Sequence, residues 1–170
     1  MYVVMANTST VAFICDRGGH LHNALQLRAQ FGTPPDFLIT TDGPDVDELV
    51  RNQRLSPTAV FTVPVIFTWM GKHRFFNLLK GAWHLFACWR LVHRLRPSAV
   101  VSVGATDVLA FCYLARLYGA RIYHVECMNQ VVHSSITARL LMPICEKIYT
   151  QWEELLPQLG PKATYAGWVL

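Results

Sequence analysis

Two strings in the chain combine side chains that can move protons with backbone that can close on an anion. The first, Asp16-Arg17-Gly18-Gly19-His20, ends an apolar run and opens a helical one. A glycine pair at such a turn lets the backbone approach a phosphate and presents helix N-terminal amides to it. His20 stands where the helix begins, so its imidazole faces whatever occupies the turn, as a general base or as a donor to an anion. A helix-cap histidine without chemistry accounts for the same spacing. The second string, His124-Val125-Glu126-Cys127-Met128-Asn129, puts a carboxylate directly after a buried strand, where it must face a crevice or find a partner. Glu126 then orders sugar hydroxyls or acts as a base in one reading, and accepts from backbone amides of the next loop in the other. Gly104-Ala105-Thr106, ahead of a helix opened by Asp107, makes a further anion-friendly turn, or simply a tight turn with an N-cap.

Other chemistry fits less well. A dinucleotide fingerprint needs G-x-G-x-x-G, and the first turn has only two adjacent glycines, although Asp42 ends the next strand at about the distance of a ribose-binding acid. A nucleotide-binding oxidoreductase is therefore a distant alternative. His22, His73, His84, His93, His124 and His133 do not fall at metal-ligand spacings, and neither metal nor cofactor is expected.

These residues need elements to carry them. Thr10 to Cys15, Asp36 to Thr41, Ala59 to Val63, Ala99 to Val103, Arg121 to Val125 and Lys147 to Thr150 are short apolar runs closed by turn residues. Helical spacing follows Gly19 and recurs over Asp107 to Tyr118 and Ser135 to Met142. Alternating strands and helices, with strands apolar on both faces, predict an α/β fold: a Rossmann-like parallel sheet with helices on both faces. Such sheets bind ligands at the carboxyl ends of their strands, which is where both strings and the Gly104 turn lie.

The chain has 170 residues, 52% hydrophobic and 15% charged, with a net charge of +4. That predicts a single domain over 1–170 with a sizeable core, and a basic balance too weak to argue for nucleic acid. Five cysteines without a C-x-x-C pair read as buried thiols of a reducing compartment. The first residues lack the basic start of a secretory signal, and no run of about 18 uncharged apolar residues occurs, so neither export nor a membrane span is expected.

One segment is unusual. From Phe75 to Arg94 the sequence is nearly all helix-compatible, giving a basic, apolar helical insertion at about 69–96. At 100° per residue Asn77, Lys80 and His84 share one narrow stripe, while apolar side chains cover most of the remaining circumference. One face packs on the sheet and the surplus needs another apolar neighbour. Trp69, Phe75, Phe76, Trp83, Phe86, Trp89 and Arg90, flanked by further Lys and Arg, suit an anionic membrane surface. The plainer alternative is a core helix with solvated ends.

Taken together, Gly18-Gly19-His20, the SVGA turn at Ser102 to Ala105, the LARLYGARIYHVE run to Glu126, the segment SSITARLLMPICEKIYTQWEEL and the closing YAGWVL resemble the acceptor-side, N-terminal half of a GT-B glycosyltransferase. More closely, they resemble the family of the membrane-associated subunit of the two-chain N-acetylglucosaminyltransferase of dolichol-linked glycan assembly, with its bacterial relatives in capsule and exopolysaccharide synthesis. The single-chain enzyme that makes lipid II is similar too: it carries a glycine turn ending in His and a His-Glu-Gln-Asn string, to which His124 to Asn129 corresponds with extra residues.

The resemblance implies an acceptor-binding subunit of an inverting glycosyltransferase at the cytoplasmic membrane face. It would extend a lipid-diphosphate-linked saccharide with a sugar from a UDP-sugar held mainly by a partner chain. It implies His20 as general base and Glu126 as positioner or second candidate base. Gly18, Gly19, Gly104, Ala105, Thr106 and Asn129 would contact diphosphate or sugar. The chain is expected to stop where a linker to the donor domain would begin, with Trp152, Trp168 and Leu170 at the partner interface and no transfer by this chain alone. The rival, from another functional class, is a non-catalytic membrane anchor that recruits a self-sufficient partner.

Overall fold

In the computed structural model, which describes residues 10–30, 37–52, 59–70, 73–76, 78–104 and 106–167, the six strand runs read from the sequence pair, with a seventh strand near the end of the chain, into one parallel sheet. Its strands are β1 (Val11–Cys15), β2 (Phe37–Thr41), β3 (Val60–Val63), β6 (Ala99–Val103), β7 (Arg121–Val125), β8 (Cys145–Thr150) and β9 (Ala163–Tyr165). The spatial order is β3-β2-β1-β6-β7-β8-β9, and every neighbouring pair is parallel. Chain order reverses between β1 and β6. That reversal opens a crevice at the carboxyl ends of the two strands, because the connections leaving them depart to opposite sides.

Parallel strands need crossovers, and the helices supply them on both faces. Ala12 and Ile14 of β1 belong to a core with α3 (Leu78–Leu95), α4 (Leu109–Leu117) and α5 (Ile136–Leu141). Phe13 and Cys15 point the other way, into a second core with α1 (Gly19–Gln30) and α2 (Pro44–Arg51). The period of two along a strand splits each apolar run between the two cores. A one-turn helix, α6 (Leu156–Leu159), precedes the edge strand β9. All five cysteines are buried and unpaired.

The insertion between β3 and β6 departs from the sequence reading in two ways. Phe67–Met70 (β4) and His73–Phe76 (β5) form a separate antiparallel hairpin, so the helix begins only at Leu78, and Trp69, Phe75 and Phe76 are strand residues. The helix is also rotated relative to its apparent polarity. His84, Cys88 and Val92, spaced by four, form its buried face. His84 can face inward because its ring is satisfied there: Nδ1–H donates to the Pro64 carbonyl at 2.6 Å, and Nε2 meets the Cys88 thiol at 3.3 Å. Several apolar side chains are turned outward instead, with Leu79 82% and Trp83 58% exposed.

Candidate functional site

His20, Gly104, Glu126 and Cys127 come from three different strand ends and meet at the switch point between β1 and β6. Gly18, at φ +74°, makes the turn that starts α1, and the helix then raises His20 beside the end of β6. There Gly104 adopts φ +86°, a left-handed conformation that glycine takes without a Cβ clash. Its missing side chain matters as much as its backbone. A Cβ on Gly104 would collide with Nδ1, Cγ and Cε1 of the His20 ring. Cys127, just beyond β7, closes on the same edge, with its sulfur 3.3 Å from His20 Nδ1.

The electrostatics of the ring follow from this seat. Partial burial pushes the His20 pKa below its ordinary 6.5, while the carboxylates of Asp16 and Glu126 work in the opposite direction. The imidazole is thus neutral at pH 7, the form that can accept a proton. Behind it, His124 is fully buried; burial chiefly, with His20 nearby, lowers its pKa to about 4. Burial pushes the Cys127 thiol up to about 12, with a further push from Glu126, which keeps it protonated.

Glu126 is buried and its hydrogen bonds are made within the chain. One oxygen accepts the Cys127 amide at 3.0 Å; the other accepts the Ser135 amide at 3.0 Å and hydroxyl at 3.1 Å. Ser135 Oγ in turn caps α5 by accepting from the Ala138 amide. The carboxylate therefore ties the end of β7 to the start of α5, the second of the two roles the sequence allowed. The intervening loop is also held by Gln158, which bonds both the Ser134 amide and the Val132 carbonyl.

The other predicted contacts are distributed around this centre. The Gly18 amide donates to Asp45 Oδ2 at 3.0 Å, so a carboxylate of α2 already sits at the glycine turn. Gly19 is exposed, Thr106 begins a 3₁₀ turn after β6, and Asn129 is exposed on the turn closed by Gln130 N–H to Cys127 C=O. Ala105, Trp168 and Leu170 lie outside the described residues. Trp152 is half-buried against the core, and its indole N–H donates to the Met128 carbonyl at 2.7 Å. That contact steadies the loop after Glu126.

On α3, Trp83, Phe86 and Trp89 are exposed and form a ladder of rings with centroids 5.7 and 5.8 Å apart, continued by His93 and by Tyr118 of the turn after α4. Arg90 and Arg94 border a groove between this ladder and Thr62 of β3. Apolar side chains are also exposed on neighbouring helices: Leu117 on α4, and Ile136 and Leu140 on α5. These last three, and the Cys127 contact, were missed in the sequence; nothing in the periodicity of such short helices marks which apolar side chains remain outside. Among the described residues no helix is long and apolar enough to cross a membrane.

Comparison with known proteins adds to this geometry. Residues 70–169 match the family model described as oligosaccharide biosynthesis protein Alg14 like. The UDP-N-acetylglucosamine transferase subunit ALG14 of Yarrowia lipolytica is 31% identical over 84 residues, covering 46% of this chain and 38% of that protein. Two solved structures share the fold. Acinetobacter baumannii MurG matches with a TM-score of 0.69 at 17% identity, over 91% of this chain and 45% of its own. The UDP-N-acetylglucosamine 2-epimerase of Rickettsia bellii matches with a TM-score of 0.68 at 15% identity, over 94% and 45%. The chain thus spans less than half the length of the relatives it matches, and its sheet is the Rossmann-like half of a GT-B architecture.

Proposed function

Because the chain belongs to the Alg14-like family of oligosaccharide biosynthesis proteins, we propose that it is the acceptor-binding subunit of a membrane-associated, inverting glycosyltransferase. A partner chain supplies the UDP-sugar, taken to be UDP-N-acetylglucosamine from the name of the yeast relative. The acceptor is a saccharide on a polyprenyl diphosphate, and the complex works on the cytoplasmic face of the membrane as a peripheral assembly.

The observation that carries this reading is the seating of a neutral, half-buried His20 at the switch-point crevice, between Gly104 and Cys127. As general base, His20 takes the proton of the acceptor hydroxyl while that oxygen attacks the anomeric carbon of the donor and the nucleoside diphosphate leaves. Glu126 positions the loop, and its negative charge stabilises the imidazolium that forms. Thr106, Ala105, Gly104, Gly19 and Asn129 shape the acceptor subsite. Diphosphate contact at the Gly18 amide requires displacing the Asp45 carboxylate. Trp168 and Leu170 belong to the partner surface, and Trp152, through its bond to the Met128 carbonyl, steadies the loop after Glu126.

The membrane role rests on α3. This helix follows the carboxyl end of β3 through the hairpin, so its first turns, with Leu78, Leu79, Trp83 and Phe86 exposed, lie toward the crevice end of the sheet. Aromatic and aliphatic side chains there would enter the headgroup region, and Arg90 and Arg94 would meet lipid phosphates. A lipid-linked acceptor held in that bilayer then presents its sugar to the crevice.

Reconstitution tests the reading. The purified chain, a donor-domain chain from the same organism, UDP-N-acetylglucosamine and a short-chain polyprenyl-diphosphate sugar should give product only when both chains are present. Transfer by this chain alone, or full transfer by the partner alone, overturns the two-chain assignment.

A further inference from the structure

The Cys127 thiol makes the hydrogen-bond-range contact to His20, at 3.3 Å from Nδ1. Neither the glycine turn nor the Glu126 string pointed to it. A histidine base needs one ring nitrogen unprotonated toward its substrate, and which nitrogen that is depends on what the other one touches. We propose that Cys127 is the positioning residue of His20: its sulfur accepts the Nδ1–H, holds the ring in the Nδ1-protonated form, and leaves Nε2 as the proton acceptor in the crevice. This rests on the reading of His20 as general base.

Three observations support it. Nδ1 lies on the edge clamped between Gly104 and Cys127, which leaves Nε2 as the ring's outer nitrogen. The carboxylates nearby are engaged elsewhere: Asp16 with Thr41 and the Arg17 amide, Glu126 with the Cys127 amide and Ser135. Asp16, Glu126 and His124 therefore tune how readily His20 takes a proton, without choosing its tautomer. Burial raises the Cys127 pKa to about 12, which disfavours a thiolate–imidazolium pair, in which both ring nitrogens would carry protons; the neutral thiol has both an S–H and sulfur lone pairs, so the tautomer itself reports which of them meets Nδ1. His84 offers a contrast within the chain. Both of its nitrogens are occupied, by Pro64 and Cys88, and it is buried on the inner face of α3.

Long-range ¹H–¹⁵N correlation on the full chain, labelled at histidine nitrogen, reads the tautomer directly. The His20 signals are assigned by their loss in His20→Gln. Above its titration the wild type should show the Nδ1-protonated form. Cys127→Ala should shift His20 toward the Nε2-protonated form that free neutral histidine favours, and Cys127→Ser, whose hydroxyl also accepts, should retain the wild-type form. With the donor partner, Cys127→Ala should lower kcat by about 10- to 100-fold, as loss of orientation at a reacting group does. The acceptor KM should stay nearly constant, and Cys127→Ser should recover kcat. An Nε2-protonated His20 in the wild type, which needs no variant, overturns the proposal; so does an unchanged tautomer in Cys127→Ala. If the tautomers behave as stated while His20→Gln keeps normal turnover, Cys127 orients the ring and only the base role of His20 fails.

Discussion

The imidazole of His20 fills the space that a side chain on Gly104 would need. The two residues are far apart in the chain, one opening α1 and the other closing β6, and the strand-order reversal is what places them in contact. The glycine thus serves the crevice twice, through its left-handed backbone and through its missing Cβ.

Gly104→Ala should therefore be costly in both folding and function. An L-residue forced to φ +86° and a clash with the ring together destabilise by about 1–3 kcal/mol. Urea unfolding measures that loss. The reconstituted pair should lose turnover in parallel, because His20 is displaced; a variant with wild-type stability and turnover would show that the ring has other room.

His20→Ala should reduce turnover of the two-chain enzyme by about 10² to 10⁴, the usual contribution of a general base. The wild-type rate should fall on acidification through a pKa below 6.5, since the lowered pKa keeps the ring neutral to lower pH. Glu126→Gln should cost less turnover. It should instead weaken the loop by about 1–3 kcal/mol, because an amide nitrogen must replace an oxygen that accepts from Cys127 or Ser135. The opposite ranking of turnover would make Glu126 the base.

His124 gives an acid-stability prediction. Its folded pKa, about 4, lies below the ordinary 6.5, so the unfolded chain binds a proton there first. Stability from this group is complete above pH 6.5 and is lost as pH falls toward 4, on the order of 3 kcal/mol in all. His124→Gln should flatten that part of the stability–pH curve relative to wild type. Identical slopes in the two proteins would mean that other groups dominate.

The exposed ladder on α3 predicts binding to anionic vesicles. Trp83→Ser with Phe86→Ser should weaken co-sedimentation, Arg90→Gln with Arg94→Gln should weaken it further, and added salt should act only through the charges. Wild-type binding in all of these variants would remove the membrane role and leave α3 as a partner surface.

Much of this protein was legible in its residues. The strand runs, the alternation that makes the sheet parallel, and the placement of His20, Gly104 and Glu126 after strands all follow from local apolar patterning and turn chemistry, which depend on near neighbours in the chain. What lay beyond it was long-range. The facing of α3 was one such feature, because the Pro64 carbonyl makes an inward His84 acceptable and no helical periodicity encodes that acceptor. The pairing of β4 with β5 was another, since their aromatic residues fit a helix as readily as a strand until cross-strand pairing decides. The use of Glu126 depended on Ser135, across a loop whose path the sequence does not state. The pairing of His20 with Cys127 and Gly104 arises only when β1, β6 and β7 are set side by side, because strand order determines which turns meet at the crevice.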